Sequence, residues 1–108
     1  MDAWEYTEVE AARAATRKLY HEFLRVPDLS AGIYVIEAGG SDPQSPHTED
    51  ELYYVIAGRA IVSVGGETRP VVPGSLVFVA AGVPHRFHDI GERLELLVAF
   101  GPAEGDRA

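Results

Sequence analysis

The sequence contains no cysteine, and its basic residues are far fewer than its acidic ones. Without cysteine the chain forms neither disulfides nor thiolate metal sites. The 9 lysine and arginine residues against 17 aspartate and glutamate residues give a formal charge of −8. Such a surface repels phosphate backbones, and we therefore expect no nucleic-acid partner.

Long apolar runs are also missing. No stretch approaches the roughly 20 residues of a membrane-spanning helix, although 46% of the chain is apolar. The start, residues 1–5, lacks both the basic and the apolar region of a secretory signal. We therefore expect no membrane partner and a cytoplasmic location. The 108 residues are enough for one domain with its own core.

One helix is predicted near the N-terminus, over residues 7–19. Thr7 and Glu10 have the spacing of a capping box, and the basic residues of the segment follow toward its end. The apolar stripe is thin, so we expect the helix to pack on a partner subunit or on the flank of a sheet. The stripe consists of Val9, Ala12 and Leu19.

The rest of the chain alternates short apolar runs with glycine turns, a pattern typical of β proteins. Gly58 and Gly91 are predicted turns, and Gly65–Gly66 suits a two-residue hairpin, in which both central residues need positive φ. Many short strands in succession predict an all-β sandwich or barrel. The predicted strands are Ile33–Ile36, Leu52–Ile56, Ala60–Val64, Val71–Val72, Leu76–Val79, Arg86–His88 and Leu94–Phe100.

Two glycine-framed segments carry the residues that favour metal chemistry. The first contains His47, Glu49, Glu51 and Tyr53, and the second ends at His85. Side chains on a strand alternate between faces, so the four odd-numbered residues could share one interior. A carboxylate among apolar side chains is costly unless a cation or hydrogen bonds compensate it. A divalent metal accounts for the convergence of His47, Glu51 and His85.

The same segments resemble the paired motifs of the cupin superfamily. The resemblance covers residues 31–100 and implies a cupin-type double-stranded β-helix, or jelly-roll barrel, with the metal in its mouth. The short N-terminal helix precedes that barrel. The matching positions are Gly39, His47, Glu51, Gly58, Gly74, Gly82 and His85.

Three positions depart from the family's motifs, namely Ser45, Ala80 and Asp89, and of these Ser45 touches the chemistry. Ser45 stands where the first motif has another histidine, and a neutral hydroxyl is a poor metal ligand. That coordination position is open, filled by water, or taken by a neighbour, for which Gln44 and Glu49 are the candidates. Glu49 reads more readily as an exposed turn residue.

The resemblance implies a metal-dependent dioxygenase that acts on a small chelating substrate, with isomerisation and decarboxylation as related chemistries. Fe(II), Mn, Ni and Zn all fit the ligand set. Tyr53 could donate a hydrogen bond to the substrate, and Phe87 is expected to line the same pocket. The alternatives are a non-catalytic module that binds a small ligand or metal, and a barrel whose site is losing its metal.

The chain is expected to form a homodimer, because the family pairs its sheets through N-terminal strands. Residues 1–30, with the helix and an edge strand at Tyr20–Val26, are the predicted contact. Residues 31–100 form the barrel, and residues 101–108 are predicted to be a flexible tail. His88 is expected on the opposite face from His85, at the surface or in an interface.

Overall fold

One helix and six antiparallel strands make up the part of the chain that the computed structural model describes, residues 1–43 and 47–105. The sheet order is β1-β2-β6-β3-β4, and β5 pairs with the first part of β3. The elements are α1 (Tyr6–Thr16), β1 (Tyr20–Val26), β2 (Leu29–Ile36), β3 (Asp50–Val64), β4 (Glu67–Val71), β5 (Leu76–Val79) and β6 (His85–Gly101).

Strands β2 to β6 all contribute side chains to a single core. Tyr34 of β2, Val71 of β4 and Val79 of β5 belong to it, although these strands lie in different parts of the sheet. The sheet is therefore folded over on itself, which confirms the predicted all-β jelly-roll barrel with one short N-terminal helix. The most deeply buried members of the core are Tyr53, Val55, Phe87, Leu94 and Leu96.

The strands β3 and β6 are longer than predicted, because each joins two predicted strands. The turns predicted at Gly58 and Gly91 are wrong, since both glycines lie inside continuous strands. Register shifts interrupt the β3–β6 ladder between Val55 and Ile61. Gly58 has φ +96, and a Cβ added there would lie 2.1 Å from the carbonyl oxygen of Arg93. Gly58 therefore belongs to a bulged stretch in which the ladder bends.

The hairpin predicted at Gly65–Gly66 is confirmed. Both glycines have positive φ, at 55 and 89, and they join β3 to β4 through the pair Val64 and Glu67.

The helix is shorter than predicted and begins without the capping box. Glu5 is its N-cap and makes no side-chain capping bond, and Arg17, in the left-handed region, ends it. Val9 packs against Ile33 and Val35 on the sheet, so the predicted packing on a sheet flank is confirmed. Arg13 is buried in place of the predicted Ala12, and its guanidinium donates to Glu10 and to the Lys18 carbonyl. Leu19 lies outside the helix.

The segment that follows β6 is docked on the barrel as far as residue 104. Ala103 is fully buried, and its N–H donates to the Pro27 carbonyl at 3.2 Å. The N–H of Glu104 donates to the buried Ser30 hydroxyl at 2.9 Å. The expectation of a flexible tail is therefore wrong for Ala103 and Glu104. Residues 106–108 lie outside the described part of the chain.

Candidate metal centre

Three side chains meet at one end of the barrel. Within the described residues, His47, Glu51 and His85 each offer a ligand atom, and these atoms all lie within 4.8 Å of one another. His47 precedes β3, Glu51 is near the start of β3, and His85 is the first residue of β6. The structure thus brings together the three residues that the sequence predicted as ligands.

The bend in the sheet is what makes this meeting possible. His85 pairs with Val64, whereas Glu51 lies thirteen positions earlier on the same strand. A straight strand of that length would separate the two by roughly 40 Å. The observed distance between His85 Nε2 and Glu51 Oε1 is 3.0 Å. The bulged stretch around Gly58 therefore positions the candidate site from a distance.

The Glu51 carboxylate is buried, and the His85 imidazole lies against it. The Glu51 side chain is 1% exposed, its Oε1 lies 3.0 Å from His85 Nε2, and its Oε2 has no hydrogen-bond donor among the described atoms. A charge taken out of water in this way is strongly destabilising unless a cation compensates it. Two imidazoles and one carboxylate are the ligands of many divalent-metal centres. The arrangement of His47, Glu51 and His85 therefore fits a bound divalent metal.

The His85 ring has a defined orientation. Its Nδ1 lies 2.9 Å from the Val83 carbonyl, an acceptor only, so Nδ1 carries a proton and Nε2 presents its lone pair to Glu51 in the neutral ring. Burial lowers the pKa of His85, but the Glu51 carboxylate and the Val83 carbonyl outweigh it and leave that pKa above its ordinary value. A positive charge at this point is stabilised by the surroundings, as a metal ion would be.

The His47 ring is held from two sides. It packs edge-on against Phe100, with centroids 5.0 Å apart, and its Nδ1 lies 3.3 Å from Oε2 of Glu104. Burial raises the pKa of the Glu104 carboxyl, and His47 offsets only part of that shift. Glu104 is a site residue that the sequence reasoning missed, because it lies in the segment predicted to be a flexible tail.

A small pocket of about 140 Å³ is lined by two of the three side chains, His47 and Glu51. That volume is below the roughly 300–1,000 Å³ of pockets for drug-sized ligands, so the pocket suits a small molecule. Its walls are mostly aromatic and apolar. The lining residues are Tyr20, Tyr34, Pro43, His47, Glu51, Tyr53, Val98, Phe100 and Glu104.

Tyr20 and Tyr34 form one wall of this pocket and were not predicted there. The Tyr20 hydroxyl is buried and has no partner among the described residues, and burial raises its pKa. The Tyr34 hydroxyl donates to Asp42, which also accepts the Phe87 N–H at 3.0 Å. Tyr20 is the first residue of β1, the strand that the sequence analysis assigned to a dimer contact. Its place in the pocket lining was therefore not predicted.

Tyr53 and Phe87 differ in their relation to the pocket. Tyr53 is fully buried, lines the pocket, and places its hydroxyl 3.1 Å from His85 Nε2. Phe87 is also fully buried but packs edge-on against Tyr53, with centroids 4.9 Å apart, and is not a lining residue. The expectation that Phe87 lines the pocket is wrong, whereas Tyr53 lies where a substrate-contacting residue would.

The two candidates for the position left by Ser45 have different outcomes. Gln44 and Ser45 lie outside the described residues. Glu49 is 2% exposed, so its interpretation as an exposed turn residue is wrong. It accepts a hydrogen bond from the Thr48 hydroxyl and is not one of the three residues whose ligand atoms converge.

His88 lies at the surface, as predicted. Its ring is bonded to the Ser63 hydroxyl and to the Asp89 carboxylate, each at 2.7 Å. Asp89 has φ +51, in the left-handed region where aspartate and asparagine are the most tolerated residues after glycine.

Comparisons with known proteins agree with this fold. Residues 32–100 match the Cupin_2 family model, which is described as a cupin domain. The chain is 49% identical over 104 residues to an uncharacterized protein of Streptomyces coelicolor, a match that covers 96% of this chain and 99% of that protein.

Two crystal structures share the fold across nearly the whole chain. A Thermus thermophilus protein has a TM-score of 0.77 at 24% identity, covering 95% of this chain and 99% of that one. A Bacillus halodurans protein has a TM-score of 0.78 at 20% identity, covering 94% of this chain and 82% of that one.

No helix in the described residues is long and apolar enough to cross a membrane.

Proposed function

The chain belongs to the cupin family, and from that premise we propose that it binds one divalent metal through His47, Glu51 and His85 and acts as an oxygenase on a small chelating substrate. Cupin domains commonly bind small ligands in the barrel. The proposal includes the cytoplasmic location and the homodimer expected from the sequence.

The observation that carries the metal proposal is the burial of the Glu51 carboxylate beside two imidazoles. Its side chain is 1% exposed, one oxygen lies 3.0 Å from His85 Nε2, and the other has no hydrogen-bond donor among the described residues. Structural ion pairs of this depth are usually satisfied by additional hydrogen bonds. A divalent ion between Glu51 and the two imidazoles removes the unfavourable burial, and this explains why a glutamate is placed here.

The ligand count supports a chelating substrate. Two imidazoles and one carboxylate leave open positions on an ion that accepts five or six ligands, as in other sites with this donor set. When bound, the metal supplies a Lewis acid that polarises a substrate oxygen, and with Fe(II) a site for O₂. A diketone, a hydroxy acid or a catechol-like molecule could occupy two adjacent open positions and still fit the small pocket.

The residues around the centre bind and orient. Val83 would hold His85 with Nε2 directed to the ion, because its carbonyl accepts a hydrogen bond from the Nδ1–H. Tyr53, whose hydroxyl lies 3.1 Å from that Nε2, would donate to a substrate oxygen. The buried hydroxyl of Tyr20, another lining residue of the pocket, would supply a second donor. The aromatic walls exclude bulk water, which strengthens each of these polar contacts.

Metal content of protein purified without a His tag tests the first half of the proposal. We expect about one equivalent of a divalent metal after reconstitution, and its loss in His85→Ala and Glu51→Gln. His88→Ala is the matched control, because it removes a surface imidazole that is bonded to Ser63 and Asp89. Absence of metal from the wild-type protein under reconstitution would overturn the proposal.

Oxygen consumption tests the second half. Protein loaded with Fe(II) is given a panel of small diketones, hydroxy acids and catechols, and O₂ uptake is followed with an electrode. We expect uptake with at least one of them, abolished in Glu51→Gln and kept in His88→Ala. Ligand binding without uptake across the panel would instead support the non-catalytic binding module, and product formation without O₂ would support an isomerase or decarboxylase.

A further inference from the structure

The segment that follows β6 is held on the barrel by hydrogen bonds to its own backbone atoms. The Ala103 N–H donates to Pro27, and the Glu104 N–H donates to the Ser30 hydroxyl. The Arg25 guanidinium donates to the Glu104 carbonyl at 2.7 Å. All three partners lie in or beside the β1–β2 hairpin. The position of the Glu104 backbone is therefore set independently of its side chain.

This fixed backbone directs the Glu104 carboxylate into the pocket. Glu104 is a lining residue, and its Oε2 lies 3.3 Å from Nδ1 of His47. It is not one of the three residues whose ligand atoms converge within 4.8 Å. The Glu104 carboxylate therefore lies against Nδ1 of His47 without joining the three converging side chains.

A histidine that binds a metal through one nitrogen generally donates its other N–H to an oxygen, which fixes the tautomer and the ring orientation. For His85 the Val83 carbonyl fills this role. We propose that Glu104 fills it for His47, accepting the Nδ1–H so that Nε2 is the nitrogen presented to the metal. Glu104 is then a positioning residue supplied by the C-terminal segment, and this inference rests on the proposed metal site.

The need for such a residue follows from where His47 lies. It precedes β3 and so lies outside the strand ladder, and its side chain remains 22% exposed. With Ser45 in place of a third histidine, the centre depends on two imidazoles. A misdirected His47 ring would remove half of the nitrogen ligands. The contact with Phe100 restrains the ring plane, but a ring flipped by 180° would keep that contact, and the Glu104 carboxylate distinguishes the two orientations.

Metal affinity gives the first test. Co(II) dissociation constants are measured by competition with a chromophoric chelator for wild type, Glu104→Ala, Glu104→Gln and Glu92→Gln. Removing an outer carboxylate of this kind weakens metal binding by about 10–100-fold, and we expect a loss in that range for Glu104→Ala. Glu104→Gln keeps an acceptor oxygen and should recover part of it. Glu92→Gln is the control, since Glu92 pairs with the exposed Arg59 and does not line the pocket.

A spectroscopic reading separates positioning from a general structural effect. Proton NMR of the Co(II) protein shows the ring N–H of each ligated histidine as a shifted, exchangeable signal when that N–H is hydrogen-bonded. We expect such signals from both His47 and His85 in the wild type. In Glu104→Ala the His47 signal should be lost to solvent exchange, while the His85 signal, protected by Val83, remains.

The possible failures are distinguishable. Wild-type protein that binds no Co(II) overturns the metal site and this inference together. Wild-type binding with unchanged affinity and both N–H signals in Glu104→Ala overturns the inference alone. A loss of binding in Glu104→Gln as complete as in His85→Ala would also overturn it, because it would make Glu104 a ligand.

Discussion

His85 Nε2 and Glu51 Oε1 face each other at 3.0 Å in the interior of the barrel, and both side chains are 1% exposed. The two residues belong to the far ends of the β3–β6 ladder and meet because the sheet bends between them. A carboxylate and an imidazole this close together and this deeply buried are most stable when a cation lies beside them. Much of the behaviour of the protein should therefore depend on whether a cation joins them.

Metal should stabilise the folded chain. A ligand that binds the native state alone stabilises it by about 2.7 kcal/mol at a hundredfold excess over its dissociation constant. We expect the melting temperature, followed by circular dichroism, to rise on addition of a divalent metal and to fall back with EDTA. His85→Ala should show no metal-dependent shift, whereas His88→Ala should behave as wild type. Equal shifts in all three proteins would indicate non-specific binding.

The three converging residues could be predicted because the two glycine-framed motifs resemble those of the cupin superfamily. Strand parity holds for Glu51 and Tyr53, which share the buried face of β3, but not for His47, which precedes that strand. Glu104 and Tyr20 escaped prediction for the opposite reason. They reach the pocket through contacts between segments that are distant in sequence, and nothing in their immediate neighbours signals this.

Tyr53 should matter more for turnover than for metal retention. Its hydroxyl is near His85 Nε2, and its ring is packed against Phe87. Tyr53→Phe keeps the ring and removes the hydroxyl, so we expect metal content to be unchanged. If the hydroxyl donates to the substrate, the loss of one hydrogen bond should lower kcat/KM by roughly tenfold. Unchanged kcat/KM in an active protein would exclude that role for Tyr53.

Gly58 should be the glycine least tolerant of substitution. A Cβ there would lie 2.1 Å from the Arg93 carbonyl oxygen, and φ is +96. Gly74 is a matched control, because its φ is +95 but no atom lies within 4 Å of its added Cβ. Gly74→Ala should cost about 1–2 kcal/mol of unfolding free energy from backbone strain alone. Gly58→Ala should cost clearly more in urea unfolding, and equal losses would contradict the bend as described.

The same pair shows why the strand boundaries were mispredicted. Gly58 and Gly74 both adopt positive φ, one in a bulge inside β3 and the other in the turn before β5. A single sequence marks both positions with glycine. The long pairing partner β6 decides between them, since it continues alongside β3 past Gly58. The distinction is therefore tertiary and could not be predicted from local pattern.

The acid limb of the stability curve should depend on Glu10. The Arg13 guanidinium hydrogen-bonded to Glu10 is the main cause that holds the pKa of its carboxyl below the ordinary value, with Arg93 adding to it. A depressed folded-state pKa stabilises the fold above the unfolded pKa of about 4.3, and this contribution is lost as pH falls through the folded value. Glu10→Gln should lower the free energy of unfolding at pH 7 by on the order of 1 kcal/mol. The difference in unfolding free energy between this variant and the wild type should become smaller in acid. The exposed Glu8 on the same helix provides the control Glu8→Gln.

The homodimer expected from the sequence can be assigned to a surface by mutation. On the outer face of β3 and β5, Leu52 lies opposite Phe78 and Tyr54 opposite Leu76, and all four side chains are at least 41% exposed. The predicted N-terminal contact also exposes apolar side chains, namely Met1, Trp4, Leu19, Val26 and Leu29. The four side chains of β3 and β5 form two neighbouring cross-strand pairs, so we expect Leu76→Lys with Phe78→Lys to convert a dimer to the 11.7 kDa monomer in light scattering. Val26→Lys should leave the dimer intact. A monomer from Val26→Lys alone would support the N-terminal contact instead. A monomeric wild type would contradict the proposed dimer.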